Sequence, residues 1–266
     1  MFDGLRSAAR ESSVSALWTV PRLLRHPVWR NADPGMGRGL GVVLAPGFGA
    51  GDVSLLPAAR WLRARGFVTA SAGVGFTVGC TGDLLVKLLR NTGELAERTG
   101  RPVVLLGQSR GGGVARLAAA RRPDLVCGLV MMGSPVLDPM GAHPNVMRIA
   151  HFLTRLAAAG VPGLLDVDCL RGPCYDEHVK DLTEPLRMPA ISIFSRSDGV
   201  VPWQLCQDPS AECVEVHSTH TGMGFDPRVY ELLGPRLAEW AQVTGTMRAS
   251  STSPSATSSN PSVPCG

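Results

Sequence analysis

Six short apolar runs punctuate the chain, and their lack of polar alternation constrains the fold more than any other feature. They lie in GLGVVLAPG (39–47), FVTASAGV (67–74), RPVVLLG (101–107), LVCGLVMMGSP (125–135), MPAISIFSRSD (188–198) and CVEVHSTH (213–220). A strand with one wet face alternates apolar and polar residues, whereas a strand covered on both faces reads as a continuous run of Val, Leu and Ile. Between the runs come stretches with helical spacing. Residues 54–65 carry Leu55, Leu56, Ala59 and Leu62; residues 81–100 carry Leu84, Leu85, Leu88 and Leu95, with Gly100 as C-cap. GGGVARLAAARR (111–122) stops before Pro123, and 226–243 begins with Asp226 as N-cap and Pro227 in the first turn. Only Gly93 speaks against its helix, at a cost of about 1 kcal/mol relative to alanine. The pattern predicts an α/β fold with a mostly parallel central sheet and helices on both faces. At 266 residues, 44% of them hydrophobic, the chain suffices for one such domain.

Three segments fall outside this rhythm. Residues 1–37 supply no clear strand and read as a helical extension on the rim or a worn-down edge. Residues 134–187 are too long for a simple connection. Within them, NVMRIAHFLTRLAAAG (145–160) puts Val146, Ile149, Ala150, Leu153, Leu156 and Ala157 on one helical face. This predicts a small helical cap over one end of the sheet, with Ile149, Leu153 and Leu156 lining a pocket; the alternative is a helix in the ordinary crossover position. Residues 244–266 are Ser/Thr/Pro-rich with a single charged residue, which predicts a disordered tail.

Composition excludes several function classes. A net charge of +4 with scattered arginines gives no basic stripe, and RLLRHPVWR (22–30), the densest basic patch, sits in no nucleic-acid motif. No nucleic-acid partner is expected. Charged residues interrupt the first twenty positions, and no stretch approaches the ~18 apolar residues of a membrane span. The expected location is the cytoplasm, without a membrane span. Seven cysteines form no CxxC and no usual zinc-ligand pattern with histidine. Cys127 reads as a buried small hydrophobe. Cys169/Cys174 and Cys206/Cys213 would close short loops if the compartment were oxidising.

The chemistry concentrates in GQSRG (107–111), between the run PVVLL and an alanine-rich helix. A serine at so sharp a strand-to-helix turn needs glycine at both flanks, and the turn holds its Oγ above the sheet edge. A phosphate loop is excluded, since no Gly-Lys-Ser/Thr follows and the glycines fall at 107, 111, 112 and 113. A serine hydroxyl needs a base, and the base an orienting carboxylate. Asp198 follows the next-to-last strand and His220 the last, so the carboxyl ends of a parallel sheet bring both to one edge. His217 competes for the base but lies in the strand itself, and Asp138 competes for the acid. Arg110, just after Ser109, and Phe48, in PGFGAGD (46–52), offer backbone N–H groups for an oxyanion.

These motifs resemble those of the α/β-hydrolase superfamily, and within it bacterial triacylglycerol lipases and esterases. APGFGAGD is similar to their oxyanion turn, CTGDLLVKLLRNTGELAERTGRPVVLLGQSRGG to their helix, strand and elbow, and SRSDGVVP and STHTGMG to their acid and base loops. The resemblance spans roughly 40–240. It implies Ser109 as nucleophile, Asp198 as acid, His220 as base, and Phe48 and Arg110 as oxyanion donors. Three positions depart from the pattern: Gln108 replaces a histidine, Arg110 a leucine or methionine, and Pro46 the first residue of the turn. Arg110 would either select a carboxylated or phosphorylated substrate or point away. The implied activity is hydrolysis of small-molecule acyl esters of short-to-medium chain length through an acyl-enzyme, with neither metal nor cofactor and without interfacial activation. An acyltransferase of the same fold, a peptidase, and a non-catalytic binding protein on this scaffold remain alternatives, and the oligomeric state stays open.

Overall fold

Each of the six apolar runs becomes a strand in the computed structural model, which describes residues 14–251. They are β1 (Gly41–Ala45), β2 (Val68–Ser71), β3 (Val103–Gln108), β4 (Val126–Met132), β5 (Ala190–Phe194) and β6 (Glu212–Glu215). All pair in parallel, in the order β2–β1–β3–β4–β5–β6. In register, Leu44 sits opposite Leu106 and Leu106 opposite Val130, which stacks like residues across the sheet.

The helices explain why the strands lack polar alternation. Leu44, Leu106, Val130 and Ile193 face a layer containing Trp61, Tyr230 and Trp240. Their neighbours Val43, Leu105 and Leu129 face Leu85, Leu88, Ala115 and Leu117. Successive side chains of a strand point to opposite faces, and in β1, β3, β4 and β5 both faces are dry, whereas β6 at the sheet edge is largely exposed. The first layer comes from α3 (Leu56–Ala64) and α9 (Pro227–Ser251), the second from α4 (Thr81–Thr99) and α5 (Arg110–Arg121). Gly93 lies inside an unbroken α4, and Gly100 closes it in the left-handed conformation at φ 67°.

The segment before β1 holds α1 (Val14–Arg25) and α2 (Pro27–Arg30) and no strand among its described residues. It is pinned to α3: Trp61 Nε1 donates to the Val28 carbonyl at 2.8 Å, and Arg65 reaches the carbonyls of Val28 and Asn31. At the other end α9 continues past position 244 to Ser251, so a disordered tail does not begin where composition placed it. The rest of that segment, 252–266, lies outside the described residues, as do residues 1–13.

The long connection from β4 to β5 runs first beside the strand ends and then along α5. It contains α6 (Pro144–Ala158), α7 (Asp168–Arg171) and α8 (Pro173–Thr183). Ala150 of α6, with Leu165, Cys169 and Leu170, forms a satellite core against Phe48 beyond β1. That places α6 and α7 over the carboxyl ends of the strands. By contrast, α8 returns to the flank of α5, where Arg121 bridges Glu177 at 2.8 Å and Asp181 at 2.6 Å.

Candidate active site

Ser109 occupies the single residue between β3 and α5, at φ 53° and ψ −128°. Non-glycine residues at positive φ carry strain of order 1–3 kcal/mol and persist only where the surroundings hold them. Here Ser109 N donates to the Met132 carbonyl at 2.8 Å, and the Ser109 carbonyl accepts from Gly112 N at 3.0 Å. The flanking glycines are required by contact. A Cβ on Gly107 would stand 2.5 Å from Gly112 Cα, and one on Gly111 would run into the carbonyl oxygens of Ala45 and Pro46.

Asp198 and His220 meet beside this turn. Asp198 Oδ1 accepts from the Val200 and Val201 N–H groups, both at 2.8 Å, which fixes the carboxylate just beyond β5. Its Oδ2 lies 2.7 Å from His220 Nδ1. The two side chains are 1% and 8% exposed, so the pair is sheltered from water. A carboxylate only accepts, so Nδ1 is assigned the proton and the lone pair falls on Nε2. The His220 carbonyl accepts from Gln108 Nε2 at 3.1 Å, tying this loop to the residue before Ser109.

The two competing residues lie elsewhere. His217 is exposed beyond β6, and its carbonyl accepts from Arg228. Asp138 Oδ1 accepts from Met140 N at 3.0 Å and from the Tyr175 hydroxyl at 3.5 Å. Gly133, absent from the sequence expectations, sits at φ 56° directly after β4. A Cβ there would come within 3.1 Å of both Asp198 Oδ2 and His220 Nδ1. Its signal was the glycine ending the apolar run in VMMGSP.

Ser109 and His220 line one cavity of about 250 Å³, shared with Phe48 and with Val146, Met147 and Ala150 of the cap. The face of α6 turned to this cavity differs from expectation. Ile149 is 53% exposed, and neither Leu153 nor Leu156 lines the cavity. Ala150 is the residue of α6 buried in a cluster with Leu165, while Ile149 and Phe152 lie on the exposed side. A larger groove, about 840 Å³, lies at the opposite end of the strands among Arg101, Pro189 and Trp240. Ligands of parallel sheets bind beyond the carboxyl ends, where the smaller cavity lies.

The turn carrying Phe48 passes against Ser109, since a Cβ on Gly47 would be 3.1 Å from Ser109 Cβ. It is braced from behind. Ala50 N donates to the Gly47 carbonyl at 3.0 Å, and the Thr77 hydroxyl donates to that same carbonyl. Arg110 extends the brace: Nη1 donates to the Thr77 carbonyl at 2.9 Å, and Nη2 to the Gly79 carbonyl at 2.7 Å and Thr81 Oγ1 at 3.0 Å. Burial pushes its pKa down to about 10, which leaves it cationic at neutral pH. The guanidinium is thus tied to the loop of Thr77 and Gly79, although Arg110 also lines the cavity of Ser109, and its backbone opens α5. The first-turn N–H groups of a helix lack intrahelical acceptors and favour negative charge.

The cysteines depart from the sequence expectation. The disulfide joins Cys80 to Cys169, across 89 positions and from the head of α4 to the cap. Neither Cys169/Cys174 nor Cys206/Cys213 is paired. Cys206 is buried, which pushes its thiol up to about 12, and Cys213 is exposed. Cys127 is half-buried, with its thiol against the Pro102 carbonyl. No helix among the described residues is long and apolar enough to cross a membrane.

The sequence matches no protein-family model and no curated protein. Its fold is found among solved structures. The mature form of Bacillus licheniformis lipase BlEst2 is 15% identical, with a TM-score of 0.59, covering 77% of this chain and 94% of that one. A monoacylglycerol lipase from Paleococcus ferrophilus is 16% identical, with a TM-score of 0.51, over 80% and 96%. The 2-hydroxy-6-oxo-6-phenylhexa-2,4-dienoate hydrolase of Rhodococcus sp. strain RHA1 is 18% identical, with a TM-score of 0.54, over 79% and 92%.

Proposed function

We propose that this chain, which has the α/β-hydrolase fold, is a serine esterase that hydrolyses small carboxylic esters through an acyl-enzyme. The observation that carries the reading is the buried His220–Asp198 pair, whose histidine shares a cavity with Ser109. In this reading Nε2 of His220 takes the proton from Ser109 Oγ as it attacks the ester carbonyl. Asp198 stabilises the imidazolium that forms. The N–H groups of Phe48 and Arg110 receive the negative oxygen of the tetrahedral intermediate. His220 then protonates the departing alcohol, and a water deprotonated by the same imidazole releases the acid. Metal and cofactor have no role in these steps.

The cavity supports short-to-medium acyl chains. At about 250 Å³ it is smaller than the ~300–1,000 Å³ of typical drug-sized sites, and Val146, Met147 and Ala150 give it an apolar wall. Esters of p-nitrophenol from acetate to palmitate, followed through their solubility limits beside emulsified triolein, test this. The expected result is saturation on soluble butyrate and octanoate. A sharp activation on triolein with little butyrate turnover would overturn the chain-length assignment. Acyl product recovered on an added alcohol in preference to free acid would overturn hydrolysis in favour of acyl transfer.

A further inference from the structure

The Cys80–Cys169 disulfide, the free thiol of Cys174 and an imidazole, none of them used in ester hydrolysis, come together where the cap meets the core. Cys80 stands at the N-terminus of α4, Cys169 lies in α7, and Cys174 is in the first turn of α8. Cys174 Sγ lies 3.6 Å from Cys80 Sγ and 3.8 Å from Cys169 Sγ, and all three sulfurs fall within 4.8 Å of one another. One turn further along α8, His178 brings Nδ1 to 3.6 Å from Cys174 Sγ. Bonds of about 2.0–2.3 Å from zinc to nitrogen and sulfur, at tetrahedral angles, set ligand atoms roughly 3.5–3.8 Å apart. The Cys174 contacts have that spacing. Along the chain, Cys169 and Cys174 enclose four residues, the upper end of the C-x₂₋₄-C spacing of zinc sites, and His178 follows Cys174 by one helical turn.

The surroundings suit a soft cation. Cys169 and His178 are each 5% exposed, so ligand atoms and a bound ion would be shielded from water. Three thiolates and one neutral imidazole around Zn²⁺ carry one net negative charge. The Arg110 guanidinium interacts electrostatically with Cys174 and offsets it. Thiolate and imidazole ligands favour zinc over magnesium or calcium, and four protein ligands leave no open position for substrate.

We propose that Cys80, Cys169, Cys174 and His178 form a structural zinc site when the Cys80–Cys169 bond is reduced. A dithiol reductant supplies two electrons to that bond and becomes a disulfide itself. The resulting thiols, with Cys174, release their protons as zinc binds. Separation of Cys80 from Cys169 and a turn of the His178 side chain complete the tetrahedron. Disulfide and zinc are thus alternative clamps for one junction, the first fitting an oxidising compartment and the second a reducing one. Either holds the cap to the loop whose Thr77 and Gly79 carbonyls receive Arg110.

The test is a Co²⁺ titration of the full chain, reduced with a dithiol under anaerobic conditions, freed of reductant and stripped of metal. The expected result is one Co²⁺ per chain, with the visible bands of a tetrahedral site and thiolate-to-cobalt charge transfer, displaced by one equivalent of Zn²⁺. The oxidised protein should show none of these. Cys174→Ser should abolish stoichiometric binding, and His178→Ala should weaken it about tenfold or more, with folding of both checked by circular dichroism. Cys213→Ser, at an exposed thiol elsewhere, should change nothing. Failure of the folded, reduced chain to bind one Co²⁺ would overturn the proposal. So would equal binding by the oxidised chain, or undiminished binding by His178→Ala.

Discussion

Replacing Arg110 with methionine separates the side chain's role as a brace from that of a substrate-selecting cation. The change keeps the backbone N–H at 110 and much of the apolar stem, and removes three hydrogen bonds to Thr77, Gly79 and Thr81. Hydrogen bonds to a charged group contribute about 1.5–3 kcal/mol each. The three share one guanidinium, and water reaches part of the vacated space, so the net loss is about 3 kcal/mol rather than the sum. For a domain of this size that lowers Tm by roughly 6–12 °C. The activity should fall through the oxyanion turn, because Thr77 also holds the Gly47 carbonyl next to Phe48. Outright removal of an oxyanion donor costs about 10²–10³ in kcat. A loosened donor should cost about 10–100-fold, with KM nearly unchanged. Differential scanning calorimetry gives the first number. Parallel kinetics on a neutral ester and a carboxylate-bearing ester give the second, and the ratio of the two substrates should stay within about twofold of wild type. An unchanged Tm, combined with selective loss of the carboxylated ester, would refute the brace and restore Arg110 as a substrate contact.

Three further substitutions probe the site from other sides. Gly133→Ala puts a methyl group 3.1 Å from both Asp198 Oδ2 and His220 Nδ1, at a φ that costs other residues about 1–2 kcal/mol; kcat should drop at least about tenfold while the folded state survives by circular dichroism, and wild-type kinetics would show that the pair tolerates displacement. Met147→Trp should lower kcat/KM for octanoate esters more than for acetate esters, whereas Ile149→Ala should leave both unchanged; an equal loss across chain lengths would place the acyl chain away from α6.

What could be read from the sequence was whatever local sterics or chain order imposes. The elbow was legible because a serine forced to positive φ demands glycine at 107 and 111, and glycine is visible as a letter. Asp198 and His220 were legible because parallel strands deliver every following loop to one edge. The features that escaped depend on partners remote in sequence. The apolar stripe of α6 was wider than its buried face, and only the folded packing, with Ala150 in a cluster with Leu165, shows that Met147 lines the cavity and Ile149 is exposed. Arg110 finds its acceptors 29 to 33 positions earlier, in a loop with no distinguishing pattern. Cys80 lies 89 positions from Cys169, so no spacing announced the disulfide or the approach of Cys80 to Cys174. Gly133 ended a strand like any other glycine, and the need for empty space beside Asp198 appears only once β4 and β5 are paired.

The central claim, that Ser109 is the activated nucleophile, is tested most directly by mapping the site of a fluorophosphonate adduct by mass spectrometry. The expected result is a single adduct on the peptide containing Ser109, formed rapidly in the wild type and absent from Ser109→Ala with an unchanged circular dichroism spectrum. An adduct on another residue, or labelling that survives Ser109→Ala, would contradict it.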